Sequence, residues 1–202
     1  MIAYFLDHQD MLLSAFWQHL GIVLEVLLIS VLLASVLSYI LLPYPKAAQA
    51  VIQFFGAIYS IPSLALFALL IPFLGLGNKT ALPVLVVYNQ YLLLRNILSG
   101  LTNVDAGLIK AGTGMGMSRW QLTVKVRVPL AMPAILSGIR LAIISTTGIA
   151  TIAATIHAGG LGSVLLSGLR SGNTYKIAWG TILCVVIALA ADVALKKVAK
   201  KR

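Results

Sequence analysis

Acidic residues are scarce: five aspartates and glutamates stand among 202 residues, against fifteen lysines and arginines. Charged residues of both signs make up 10% of the chain, where an ordinary soluble domain carries about 25%. That shortage excludes a soluble globular protein with a solvated charged surface. Cysteine is almost absent. Cys184 stands alone inside a long apolar run, so the chain forms no internal disulfide and offers no thiolate metal site. His8, His19 and His157 are scattered without a ligand spacing such as HExxH, and paired carboxylates and a nucleophile elbow are missing. Neither GxGxxG nor GxxxxGK[ST] occurs, so no nucleotide cradle is encoded. The expectation is a chain that is not an enzyme and holds no metal or cofactor of its own.

What the sequence has instead is oil. Apolar residues are 60% of the chain, divided into five runs at about 19–42, 48–74, 81–98, 134–156 and 177–195. Each approaches or exceeds the ~20 residues that a helix needs to cross the hydrocarbon. Because backbone groups find no water there, and the period-2 alternation of a barrel is missing, helices are expected throughout. The fold class is an all-α membrane protein of five transmembrane helices, a single domain over residues 1–202. The opening "MIAYFLDHQD" lacks the basic flank of a secretory signal and reads as mature chain.

Orientation follows from the cations. With the N-terminus outside, the inner side holds Lys46, Lys110, Arg119, Lys125, Arg127, Lys196, Lys197, Lys200, Lys201 and Arg202. The outer side holds only Lys79, Arg170 and Lys176, while Arg95 and Arg140 lie near inner helix ends and snorkel. An N-out, C-in topology satisfies this bias. The net charge of +10 is then explained by topology and anionic lipid, with no nucleic acid as partner.

One polar, basic stretch interrupts the oil. Residues 102–133 are too long for a tether and are punctuated like structure. Asp105 N-caps a helix to about Met115, and Gly116 ends it in the left-handed conformation. Ser118 and Gln121 form a capping box that opens a second helix, in which Trp120, Val124 and Val128 recur every four residues. Although "TVKVRV" alternates like a strand, a lone strand would leave both edges unpaired. Pro129 and Pro133 end this unit and lead into the fourth span.

These residues carry a resemblance. Gly116, nine residues, then Val126, Arg127, Val128 and Pro129 resemble the G-x9-I-x-L-P half of the "EAA" loop in permease subunits of binding-protein-dependent ABC importers. Lys110, Ala111 and Gly112 stand where that family has Glu-Ala-Ala. "SIPSLALFALLIPFLGLGN" (60–78), "LLRNILSGLTNVDAGLIKAGTGMGMSRWQ" (93–121), "VPLAMPAILSGIRLA" (128–142) and "AGGLG" (158–162) are similar to the osmoprotectant subgroup, which handles glycine betaine, carnitine or choline.

The resemblance implies that residues 102–133 form a coupling helix loop seated in a cytosolic ATPase. Lys110, Ala111, Gly112, Gly116, Met117, Ser118, Trp120 and Pro129 would carry that coupling on a rigid polar surface. It also implies two ATPase subunits holding the ATP and magnesium, a second permease, identical or paralogous, and an extracellular or periplasmic solute-binding protein. The site would be a bacterial cell membrane, with lipid around it. Departures are Lys110, which reverses the charge of the family glutamate, Gly112 for alanine, and Leu92 where many relatives carry proline.

Five helices are too few to enclose a path alone, so two subunits are expected. Ser30, Ala34 and Ser38 form a small-xxx-small face suited to close helix approach. Candidate path residues are Glu25, Tyr88, Asn89, Gln90, Thr147, Thr151 and Thr155. Glu25 either faces a water-filled vestibule or sits near the interface. Asn89 and Gln90 either bond a neighbouring helix or touch solute, and the threonine hydroxyls either line the path or bond their own helix. Asp192 pairs with Lys196. Pro62 is a hinge in the second span, freeing the Ile58 carbonyl. In the outer loop, 157–176, Gly159, Gly160 and Gly162 permit a tight turn into a short helix on the receptor side. A self-sufficient secondary transporter or channel is the alternative function, and a membrane enzyme a third.

Overall fold

The computed structural model describes residues 1–200, with side chains through Lys197. Lys201 and Arg202, counted above on the inner side, lie outside the described residues, as does the Lys200 side chain. Every regular element among the described residues is helical. A short α1 (Ile2–Asp7) precedes α2 (Gln9–Leu41), α3 (Pro45–Tyr59), α4 (Ser63–Leu74) and α5 (Asn78–Thr102). Then come α6 (Ala106–Gly114), α7 (Arg119–Leu122), a π-helical stretch Thr123–Arg127, and α8 (Val128–Ile152) with a 3-10 end at Ala153–Ile156. The chain closes with α9 (Leu161–Ser171) and α10 (Thr174–Lys200).

Four helices are long and apolar enough to cross a membrane: Gln9–Leu41, Asn78–Thr102, the continuous Arg119–Ile156 and Thr174–Lys197. The expected second span is not one rod. It is the pair Pro45–Tyr59 and Ser63–Leu74, bent by 93°, so the bundle has four candidate spans, or five when the bent pair counts as one. Pro62 causes the break. It has no N–H to continue the ladder and drives the residue before it out of helical geometry, and it sits extended at ψ 130° as the N-cap of α4. The carbonyl left needing an outside partner is not that of Ile58, which accepts from the Ile61 N–H at 3.0 Å. It is that of Ile61, capped by the Tyr88 hydroxyl at 2.6 Å.

The central element is α5, which packs against α2, α3, α4 and α8. Leu93, Leu94, Ile97 and Leu98 are buried with Ala34 of α2 and Ala142 of α8. The small face Ser30, Ala34 and Ser38 is therefore spent within the subunit, at 0%, 0% and 1% exposure, rather than held free for a second copy. Neutral polar groups tie the same three helices at mid-depth. The Asn89 amide donates to Thr146 Oγ1 at 2.9 Å and to Ser30 Oγ at 3.3 Å, and the Gln90 amide donates to the Ser30 carbonyl at 3.3 Å. Replacing Asn89 by leucine strands these hydroxyls in an apolar interior, and polar contacts between membrane helices contribute about 1 kcal/mol. The purified variant is expected to melt below the wild type in detergent; an unchanged Tm contradicts the network's role.

Arg140, expected near the inner helix end, is exposed and also finds a partner that the sequence did not suggest. It pairs with the Asp192 carboxylate, which also takes the expected partner Lys196 at 2.8 Å, and so joins α8 to α10. At the far end, α1 folds back on α10: the Trp179 indole donates to the Met1 carbonyl at 3.1 Å and stacks near Phe5.

Candidate coupling surface

Local chemistry alone builds the elbow between α5 and α8. The Asp105 carboxylate accepts from the Gly107 and Leu108 N–H groups at 2.7 and 3.1 Å, satisfying donors that a helix start leaves open. Nine residues later α6 closes in a Schellman motif: Met117 N–H reaches the Gly112 carbonyl at 3.1 Å and Gly116 N–H the Thr113 carbonyl at 2.9 Å. Gly116 holds φ 77°, the left-handed value that a residue with a Cβ adopts at a cost. Ser118 then caps α7 reciprocally. Its hydroxyl accepts from Gln121 N–H at 3.3 Å, while Gln121 Oε1 accepts from Ser118 N–H at 2.8 Å.

The elbow is bolted to the bundle. Arg119 donates to the Tyr39 carbonyl at 3.0 Å and lies 5.2 Å from the Tyr39 ring, against which Trp120 packs edge-on at 5.4 Å. Arg127 donates to the Leu101 carbonyl at 2.7 Å, anchoring the other side to the end of α5. Inside the corner Gly112 is buried, and a Cβ there would stand 3.1 Å from Met117 Sδ and 3.3 Å from Leu122 Cδ2. The alanine that the resemblance implies here would press on these two side-chain ends.

Two expectations need correction. The joint to the fourth span is not at Pro129: α7 runs through the π-helical stretch into α8 without interruption, Val128 N–H bonding the Thr123 carbonyl. The wider π turn moves carbonyls off the α ladder just before Pro129, which lets that residue stay inside a continuous helix despite its missing N–H, and Pro133 lies a turn further on within α8. Nor is the outward surface simply polar. Lys110, Ala111 and Pro129 are exposed, but so are Met115 at 76%, Trp120 at 60% and Leu108 at 49%. Met115 was not singled out by the sequence; its place at the helix C-cap, just before the left-handed glycine, is the signal that finds it.

The path candidates separate into two groups. Tyr88, Asn89, Gln90 and Thr147 are closed into the subunit's own contacts, at 1–3% exposure. Thr147 bonds the Ile143 carbonyl at 2.8 Å, Thr151 that of Gly148 at 2.7 Å and Thr155 that of Ile152 at 2.8 Å, each within its own helix. Glu25 and Thr155 lie exposed and Thr151 half-buried.

The outer glycines do form a turn into α9, but they face inward. Gly160 N–H donates to Gln18 Oε1 at 2.9 Å, and a Cβ on Gly160 would meet the His19 ring at 2.8 Å. Gly159 lies against the Gln18 amide and Gly162 against the Thr151 backbone. His19, read as scattered, is fully buried, its Nε2–H donating to the Thr147 carbonyl at 3.2 Å.

A bundle of helices long and apolar enough to cross a membrane, with a half-apolar elbow at the end that gathers Lys110, Arg119, Lys125 and Arg127, has the architecture of an all-helical membrane protein. The chain belongs to the family described as binding-protein-dependent transport system inner membrane component, which residues 26–201 match. It is 37% identical over 197 residues to a Listeria monocytogenes carnitine transport permease protein, covering 98% of this chain and 90% of that one. A Bacillus subtilis glycine betaine/carnitine/choline transport system permease protein is 35% identical over 184 residues, or 91% of this chain and 85% of that one. Its fold matches a chain of the inward-facing MetNI methionine ABC transporter with a TM-score of 0.84, at 22% identity over 96% of this chain and 97% of that one.

Proposed function

We propose that this chain is the permease subunit of an ATP-driven importer for a small quaternary-ammonium osmoprotectant: glycine betaine, carnitine or choline. The observation that carries the reading is identity across almost the whole chain to permeases named for those solutes. It is joined by the pre-formed elbow at one end of the bundle. Lys46, Lys110, Arg119, Lys125 and Arg127 gather at that end, and Lys79, Arg170 and Lys176 at the other, which supports an N-out, C-in placement in a bacterial inner membrane.

In this reading two copies, or this chain and a paralogue, enclose the path between them. Two cytosolic ATPases grip the two elbows and hold the ATP and magnesium. Their closure moves Leu108, Met115 and Trp120 together. Because Arg119 and Arg127 lock the elbow to α2 and α5, and α7 is continuous with α8, displacement of the elbow tilts whole helices. A solute-binding protein delivers solute to the opposite face, where α9 and the N-terminal part of α2 stand. Co-reconstitution with the ATPase and the binding protein is expected to give solute-stimulated ATP hydrolysis and ATP-dependent uptake. Solute flux through the chain alone would overturn this reading in favour of a self-sufficient transporter.

A further inference from the structure

Between α3 and α5, at the elbow's end of the bundle, a groove of about 760 Å³ has a lining that is half apolar, with Leu42, Ile52 and Leu98, and half polar, with Gln53, Tyr91 and Arg95. Gln53, Tyr91 and Arg95 lie more than one turn inside their helices, and polar groups in spans turn to the bundle interior or to water-filled cavities rather than to lipid. Arg95 lies about 10 Å along α5 from its end at Thr102. It forms no ion pair among the described residues. Among the described residues its one side-chain hydrogen bond is from Nη1 to the Tyr91 hydroxyl at 3.0 Å. The remaining N–H donors of the exposed guanidinium fork, which suit a carboxylate, have no partner among the described residues.

Tyr91 continues into an aromatic wall. Its ring centroid lies 5.3 Å from that of Tyr59, which lies 5.5 Å from that of Tyr88 behind it. Tyr59 and Tyr91 are half-buried, whereas Tyr88 is sealed. A cation without an acidic partner among the described residues and one aromatic ring, that of Tyr91 with Tyr59 packed behind it, thus share one open groove, the Arg95 carbon lying 5.9 Å from the Tyr91 ring centre.

We infer that this groove is a transit subsite for a zwitterion, with Arg95 taking the carboxylate and the Tyr91 ring, backed by Tyr59, taking the quaternary ammonium. The inference deepens the proposed function and rests on its substrate class. The carboxylate neutralises Arg95, and only then does the adjoining Tyr91 ring accept a second cation. A bare cation such as choline meets the guanidinium unscreened. The subsite therefore favours carnitine and glycine betaine over choline during passage, independently of the binding protein that sets the half-saturating concentration.

The test uses the assembled importer with its ATPase and binding protein, in vesicles of phosphatidylethanolamine with phosphatidylglycerol and in vesicles of phosphatidylcholine alone. Maximal uptake of carnitine and of choline is measured for the wild type, Arg95→Gln and Arg95→Lys. Arg95→Gln is expected to lower the carnitine-to-choline ratio of maximal rates roughly tenfold in both lipids, the size of losing one charge-assisted contact. Arg95→Lys keeps most of the ratio, and half-saturating concentrations stay put. An unchanged ratio overturns the subsite while leaving the importer reading intact. An equal loss for both solutes, seen only with anionic lipid, makes Arg95 a headgroup anchor and also overturns it. A wild type that moves neither solute overturns the substrate class and the subsite together.

Discussion

Gly116→Asp is expected to leave the subunit folded in the membrane and to cut ATP-driven uptake by roughly tenfold or more. Within the chain there is room, because a Cβ at Gly116 meets no heavy atom within 4 Å. The left-handed φ of 77° costs a residue with a side chain about 1–2 kcal/mol, and aspartate tolerates it better than most. The larger penalty arises outside the chain. The position lies beside Met115 and Trp120, both well exposed, on the surface proposed to enter the ATPase. Burying a charge among apolar groups there costs several times the thermal energy, and each ~1.4 kcal/mol is a tenfold change in binding. Co-purification of the ATPase and solute-stimulated hydrolysis should both fall. Full co-purification with wild-type uptake contradicts the coupling role of the elbow.

Gly162→Ala should destabilise the subunit by about 3 kcal/mol, the upper range for overpacking a tight contact. A Cβ at this site would land on the carbonyl and Cα of Thr151, backbone atoms that cannot swing aside as a flexible side chain does. Relief requires α9 to lift from α8. That would draw Leu161 and Val164, at 0% and 5% exposure, out of their cluster with Leu12 and Ile187. Gly148→Ala is the control. It makes the same chemical change in α8 where nothing lies within 4 Å, and alanine is the better helix former by about 1 kcal/mol. The two variants should move the detergent Tm in opposite directions, or at least far apart; equal melting curves contradict the packing of α9 described here.

The elbow was the most legible part of this chain, because its signals are short-range. A capping aspartate, a left-handed glycine and a Ser-x-x-Gln box each act within three or four residues, and all three appear as read. The interhelical reading of Asn89 and Gln90 was available from their depth alone, since an amide in oil must find a partner.

What stayed hidden depends on residues far apart in sequence. Pro62 was visible as a break, but a bend of 93° is set by what the freed Ile61 carbonyl meets, and that is a hydroxyl 27 positions on. The Arg140–Asp192 pair joins separate helices, and Gln18 and His19 find the outer glycines across more than a hundred residues. The continuity of α7 with α8 was missed for another reason. A π-helical turn absorbs Pro129, a residue type that normally ends a helix, and its width leaves no simple period in the sequence.

The most direct measurement is thiol accessibility at the tip of the elbow. In a Cys184→Ser background, which removes the chain's one cysteine, Met115→Cys places a single reactive group on the most exposed apolar side chain of that tip. A membrane-impermeant maleimide should label it in inside-out vesicles but not in intact cells. Adding the partner ATPase should then protect it. Labelling from the outer face, or labelling that the ATPase leaves unchanged, would contradict the proposal that this elbow is the handle by which ATP hydrolysis moves the membrane helices.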